Sequence, residues 1–370
     1  ERSNISIAYG IYFRMPEFQY MYDNFNTYLL RGNQMLGDPN MYAQRENSYE
    51  VAYKNQLTDL FMFNISAYYK DIYNQLGAKY VPTVPTPFWQ YTVSEYGNSK
   101  GIEFEFVKRA TSSDHFGFTL NYVLSSANGT SSSPGANYQL PLDTYTGLPS
   151  YALSEFPMSF DRRHKVNFNV FLLWSDNQGP SIGGIQPLEN ITLNFTTIFQ
   201  TGSPYTVVDL KGRAIGELNT GRGPNFWRTD MRLSKMFYLR DWFGESMGTS
   251  SVEFFFDVNN LFNLRGVTGF YTTSRDPNDD GVSFYYGPGS FSSTPWYKEA
   301  NFGMPETFMP DQYDNFGNRL YNLNSDFDNN GIVTQNEKFQ AFKKNLEVAR
   351  KFQGNNQTPI TVWFGLMFKF

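Results

Sequence analysis

Apolar and polar residues alternate with a period of two in ten segments of this chain, and that period predicts strands rather than helices. The clearest segment is the last. Val362, Phe364, Leu366, Phe368 and Phe370 line one face, and Trp363, Gly365, Met367 and Lys369 line the other. The first sets Ile5, Ile7, Tyr9, Ile11 and Phe13 against Ser6, Ala8, Gly10, Tyr12 and Arg14. Between them the same reading places strands at Tyr49–Lys54, Phe61–Lys70, Ile102–Phe106, Phe116–Tyr122, Val166–Trp174, Ile191–Thr196, Asp230–Ser234 and Val252–Val258. Charged residues fall almost entirely on one face, among them Glu50, Lys54, Glu103, Glu105, Arg232 and Glu253.

That asymmetry distinguishes a lipid-facing side from a wet one. A basic residue facing lipid at mid-depth costs about 2–4 kcal/mol, whereas a water-filled lumen tolerates it. A β-sandwich also has one wet face, so connector length must separate the two architectures. The connectors broadly alternate: 14–47 long, 55–59 short, 72–98 long, 110–114 short, 127–162 long, 175–188 medium, 201–225 long, 238–249 medium, 265–358 very long. Long external loops and short periplasmic turns are the rule of transmembrane barrels. The expected fold is therefore an all-β, antiparallel transmembrane barrel whose first segment runs outward and whose C-terminus is periplasmic. An open first strand in lipid would leave backbone groups unpaired at several kcal/mol each, so its neighbour must be the last strand or a part outside this chain.

Composition fits a barrel. Aromatic residues make up 18% of the 370 residues, with 36 Phe and 26 Tyr, yet mean hydropathy is −0.48. Alternation dilutes hydropathy while interfacial girdles demand aromatic rings. No run approaches the roughly 18 apolar residues that a membrane-spanning helix needs. The net charge of −5 argues against nucleic acid as a partner. The absence of cysteine agrees with an oxidising envelope. Glu1 falls just before the first strand pattern and no initiating methionine precedes it, so the chain reads as part of a longer protein.

The ending resembles the C-terminal assembly signal of bacterial outer-membrane proteins, carried by Gly365, Phe368 and Phe370, with Trp363 where a polar residue is usual. Six further stretches, in order, resemble the C-terminal barrel half of a TonB-dependent outer-membrane receptor of the Bacteroidetes type, Oar-like or SusC-like. They are Gly37-Asp38-Pro39-Asn40 with Glu46 to Glu50, Ser66 to Ile72, Gly101-Ile102-Glu103-Phe104-Glu105, Phe160 to His164, Thr201 to Thr206, and Val258-Asn259-Asn260-Leu261-Phe262-Asn263. The resemblance implies a multi-pass protein of the bacterial outer membrane. These strands would be the last ten of a 22-stranded barrel, covering residues 1–370, with the plug domain outside this chain. Implied partners are the N-terminal barrel and plug portion, TonB through the plug, outer-membrane lipid, an imported ligand, and a surface lipoprotein lid.

Within the 265–358 excursion, one stretch carries metal chemistry. Asp326 to Glu337 fits the twelve-residue EF-hand loop. Asp326, Asp328 and Asn330 offer side-chain oxygens, Gly331 the sharp turn, Ile332 its carbonyl, Thr334 a direct or water-mediated contact, and Glu337 a bidentate carboxylate. Calcium, a hard ion taking six to eight oxygens, needs such a set. The following residues read as a short helix, opened by a Thr334/Glu337 capping box. An Asx-rich turn before a helix is the plainer alternative. A second stretch offers Asp276, Asn278 and Asp280, but Gly287 stands where a closing Glu belongs, and a solvated turn explains it equally well. Calcium is expected to order this excursion as a lid-like element over the barrel mouth.

Other chemistry is sparse. His115 and His164, the only histidines, sit beside Asp114 and Asp161, where a structural hydrogen bond is expected rather than a metal. Glu103 and Glu105 share a strand face and are expected to meet water or basic groups of a plug. No nucleophile elbow or phosphate loop appears, so an enzyme is not expected. The function expected is TonB-dependent import of a large or scarce nutrient. The alternative is a non-transporting structural or adhesion barrel with calcium-stiffened loops.

Overall fold

Register shows why the alternation matters. Across eight adjacent strands, Ile5, Tyr53, Ile65, Phe104, Tyr122, Val166, Phe199 and Trp227 stand side by side as one apolar row. The next row holds Asn4, Lys54, Asn64, Glu105, Asn121 and Asn167. Slipping one strand by a single residue would exchange the two rows locally and bring charge to the apolar face.

The computed structural model describes residues 2–23, 35–84, 87–138, 148–149, 151, 154–209, 214–277, 307–313, 317, 319–351 and 357–370. Chain contacts divide it into two units, one comprising Glu1–Tyr205, Glu217–Gly266 and Thr358–Phe370, the other Thr206–Gly216 and Val267–Gln357. In the first unit ten strands form one sheet in chain order. They are β1 (Ser3–Arg14), β2 (Gln44–Gln56), β3 (Phe61–Val81), β4 (Phe88–Lys108), β5 (Phe116–Gly129), β6 (His164–Trp174), β7 (Ile191–Gln200), β8 (Phe226–Tyr238), β9 (Ser251–Asn259) and β10 (Thr361–Lys369). Every consecutive pair is antiparallel. Among the described residues β1 pairs only with β2 and β10 only with β9, so each keeps one open edge.

The apolar face is uncovered. Ile7 is 82% exposed, Phe13 70% and Phe364 68%, far beyond what a water-soluble sheet leaves bare over a contiguous surface. Tyrosines cross one end of that face, Tyr9 against Tyr49 at 5.0 Å and Tyr49 against Tyr69 at 6.4 Å. Phenylalanines cross the other, Phe61 against Phe106 at 5.9 Å and Phe106 against Phe118 at 5.4 Å. Between them runs the aliphatic row Ile7, Val51, Ala67, Ile102 and Leu124, and aromatic belts flanking apolar rows mark the outer surface of a membrane barrel.

One expectation fails. The stretch 72–98, expected as a long connector, is mostly strand: β3 continues to Val81 and β4 starts at Phe88. Its register shifts twice, between Ile72 and Gln75 and between Gln75 and Gly77, and Asn74 takes a left-handed φ of 56°. A bulge breaks the period-two pattern without ending the ladder. The extended hairpin also builds a small apolar cluster. Met35, Ala78 and Trp89 are buried together with Tyr80, Tyr91 and Tyr138 against them, and Met35–Leu36 adds a short parallel strand beside Trp89.

Candidate metal centre

The second unit contains a loop shaped by its own side chains. Asp326, buried at 5% exposure, accepts the Gly331 N–H (2.9 Å) and the Tyr321 hydroxyl (3.2 Å) on Oδ2, and the Asn330 N–H (3.2 Å) on Oδ1. Asp328 accepts the same Asn330 N–H at 3.2 Å and the Asn330 side-chain amide at 2.9 Å. Asn330 in turn accepts the Ile332 N–H at 2.8 Å. Gly331 turns the chain at φ 80°, the left-handed conformation that Gly tolerates without strain.

Glu337 closes the loop. Its Oε1 accepts the Phe327 N–H at 3.1 Å, while Oε2 accepts both the N–H and the hydroxyl of Thr334 at 2.9 Å. The Glu337 N–H donates back to Thr334 Oγ1 at 3.2 Å. This reciprocal pair is the capping box that starts the helix Gln335–Lys351. Val333–Thr334 pairs with Thr307–Phe308 as a two-stranded ladder, and Phe308 and Val333 are both fully buried.

One oxygen from each of Asp326, Asp328 and Glu337 lies within 4.8 Å of the others. Two oxygens on one calcium at 2.3–2.6 Å can stand no more than about 5 Å apart, so the three fit a shared ion. Among the described residues no ion pair reaches these three carboxylates. Burial pushes the Asp326 carboxyl up, but the Gly331 N–H, the Tyr321 hydroxyl and the Asn330 N–H outweigh it and hold it below the usual range. Glu337 is held down first by the Thr334 N–H and then by the Thr334 hydroxyl. These two carboxylates are therefore charged near neutrality.

The other predicted residues are not gathered. At the second stretch only Asp276 is described: its N–H donates to Ser274 Oγ at 3.2 Å and its carbonyl accepts from Tyr271 at 3.0 Å. Asn278 and Asp280 lie outside the described residues. Gly365 sits in β10 opposite Phe255, whose ring occupies the place a side chain would take, 2.2 Å from a Cβ there. Phe368 and Phe370 are 58% and 97% exposed. The two histidines are not partnered by the neighbouring aspartates. His115 Nδ1 lies 3.2 Å from the Leu173 carbonyl and His164 Nδ1 2.9 Å from the Tyr122 hydroxyl. Asp161 instead bonds the Ala127 N–H and the Arg222 guanidinium, tying two connectors to β5.

Asn260, within the Val258–Asn263 motif, is fully buried. Its amide nitrogen donates to the Leu264 carbonyl (3.0 Å) and the Thr358 carbonyl (2.9 Å), and its side-chain oxygen accepts the Leu264 N–H (2.9 Å). It clasps the chain where the long excursion leaves the sheet and where it returns.

A family model described as TonB-dependent receptor-like, beta-barrel, matches residues 3–261. Similar solved structures include the outer-membrane transporter YddB of Escherichia coli, at 12% identity and a TM-score of 0.50, covering 72% of this chain and 35% of that one. The pyoverdine outer-membrane receptor FpvA of Pseudomonas aeruginosa is similar at 14% identity and a TM-score of 0.44, covering 73% and 31%. The ferric-catecholate import receptor Fiu of E. coli gives 13%, 0.43, and 74% and 31%. The chain thus spans about a third of the length of these structures. None of the curated proteins matches it.

Proposed function

The chain belongs to the TonB-dependent receptor-like β-barrel family of the bacterial outer membrane, and from that premise we propose that it forms wall and loops of a receptor that imports a large or scarce nutrient. The observation that carries the reading is the two-faced sheet, apolar and bare on one side, polar on the other. In lipid an open edge would leave each unpaired N–H and C=O at several kcal/mol, so β1 and β10 need partners; the family resemblance implies that further strands of the same receptor supply them, 22 in all. The polar face then surrounds a plug, with Glu103 and Glu105 meeting its basic groups or water, and TonB acts through that plug. The direct test is uptake by cells carrying the intact gene. Disrupting it should abolish energised accumulation of the nutrient, and removing TonB should do the same. Accumulation that survives loss of TonB would leave the non-transporting barrel as the better reading.

The loop Asp326–Glu337 is proposed to hold calcium, with Asp326, Asp328, Asn330, Ile332, Thr334 and Glu337 as its ligands. The three converging carboxylates support it. Bound there, the ion would neutralise the cluster and order the second unit; limited proteolysis with and without a chelator tests this.

A further inference from the structure

We propose that Tyr321 is a positioning residue for the cation of this loop, orienting Asp326 through its hydroxyl; the proposal rests on the calcium reading above. An EF-hand is built as helix, twelve-residue loop and helix, so that both ends of the loop are held. Among the described residues only the exit has a helix, Gln335–Lys351. The entry is a single 3-10 turn, Leu323–Ser325, capped by the Asn322 side chain accepting the Asn324 N–H. The first ligand of the loop, Asp326, thus follows a segment with little rigidity of its own.

Tyr321 supplies a second hold. Its hydroxyl donates to Asp326 Oδ2 at 3.2 Å, the same oxygen that takes the Gly331 N–H at 2.9 Å. With two donors on Oδ2, that oxygen is committed. Oδ1 carries only the Asn330 N–H at 3.2 Å and keeps capacity for an ion. Two donors from opposite sides of the loop, one before it and one within it, fix the carboxylate plane. Partners behind a metal's direct ligands set affinity in this way. The bond also pushes the phenol up from its ordinary value, after the larger effect of burial. No spacing rule pointed to Tyr321, because it lies five positions ahead of the motif.

The test uses the intact receptor in detergent with calcium, and with terbium as a luminescent substitute excited through tyrosine. Tyr321→Phe should weaken calcium binding about tenfold and remove most of the sensitised terbium emission at saturation. Unchanged affinity would overturn the proposal, as would weaker binding with full emission, since then Tyr321 acts from a distance. If Tyr321→Phe does not fold, Tyr321→Trp keeps a ring N–H donor. Emission through the indole would support the contact and its absence would overturn it. A wild-type chain that binds calcium no better than Glu337→Gln overturns the loop reading itself, an outcome distinct from failure of Tyr321 alone.

Discussion

The sheet and the Asp326–Glu337 loop hold themselves together by opposite means. In the sheet, backbone ladders do the work and side chains choose a side: any aliphatic or aromatic residue serves at Ile65, provided it is apolar. In the loop, individual side chains replace the ladder. Asp326 alone accepts three hydrogen bonds, and replacing Oδ2 alone would alter two of them. The first region is specified by pattern and the second by identity at fixed spacing. The two therefore respond to different perturbations.

The largest separation comes from charge placed on the sheet. Ile65→Arg puts a cation in the apolar row and should destabilise the folded barrel by about 2–4 kcal/mol in bilayers. Asn64→Arg, one residue away but between Lys54 and Glu105, should be nearly neutral. Unfolding of both variants in lipid vesicles measures the difference. Equal losses would mean that the two faces are not lipid and water. Neither substitution should change calcium binding.

Calcium sharpens the comparison from the other side. At a free concentration a hundred times the dissociation constant, the ion should stabilise the second unit by about 2.7 kcal/mol and leave the sheet unchanged. Hydrogen exchange of residues 319–345 against that of β5 and β6, with and without a chelator, reads both at once. Glu337→Gln should erase the difference. Protection that rises equally in both regions would show that the ion acts on the whole chain rather than on the loop.

How far each region was legible follows from the same contrast. All ten strands were visible because every face pattern repeats locally, as in Ile5 to Phe13 or Phe116 to Tyr122. The missed outer part of the β3–β4 hairpin lies where Asn74 bulges and the alternation shifts phase, so the residues after Ile72 no longer keep a period of two. The Met35–Trp89 pairing was invisible for a different reason: it joins residues far apart in the chain, and no local period encodes it. In the loop, the turn at Gly331 and the Thr334/Glu337 capping box could be read because each is set by local spacing. The pairing of Thr307–Phe308 with Val333–Thr334 could not, nor could the clasp made by Asn260, since both depend on partners brought together by folding.

The smallest effect separates two aspartates that look alike in sequence. Asp114, in the turn between β4 and β5, accepts N–H groups from Thr111 and Phe116, much as Asp326 accepts those of Gly331 and Asn330. It differs in having its own cation, for Lys108 bonds it directly. That bond comes first, ahead of the Thr111 N–H, in holding the Asp114 carboxyl well below the usual range. A depressed folded value contributes stability that is present above the unfolded carboxylate value of about 3.9 and lost as the pH falls through the folded one. Asp114→Asn should therefore produce only a small loss at neutral pH, and the loss should shrink in acid while being indifferent to calcium. Stability of wild type and variant against pH, each with and without chelator, is the measurement. A calcium-dependent difference at Asp114 would mean that the two aspartates do not differ in this way. Asp114 is already paired to a lysine, whereas among the described residues the hydrogen bonds to Asp326, Asp328 and Glu337 come from neutral donors, which is the contrast the proposed calcium site rests on.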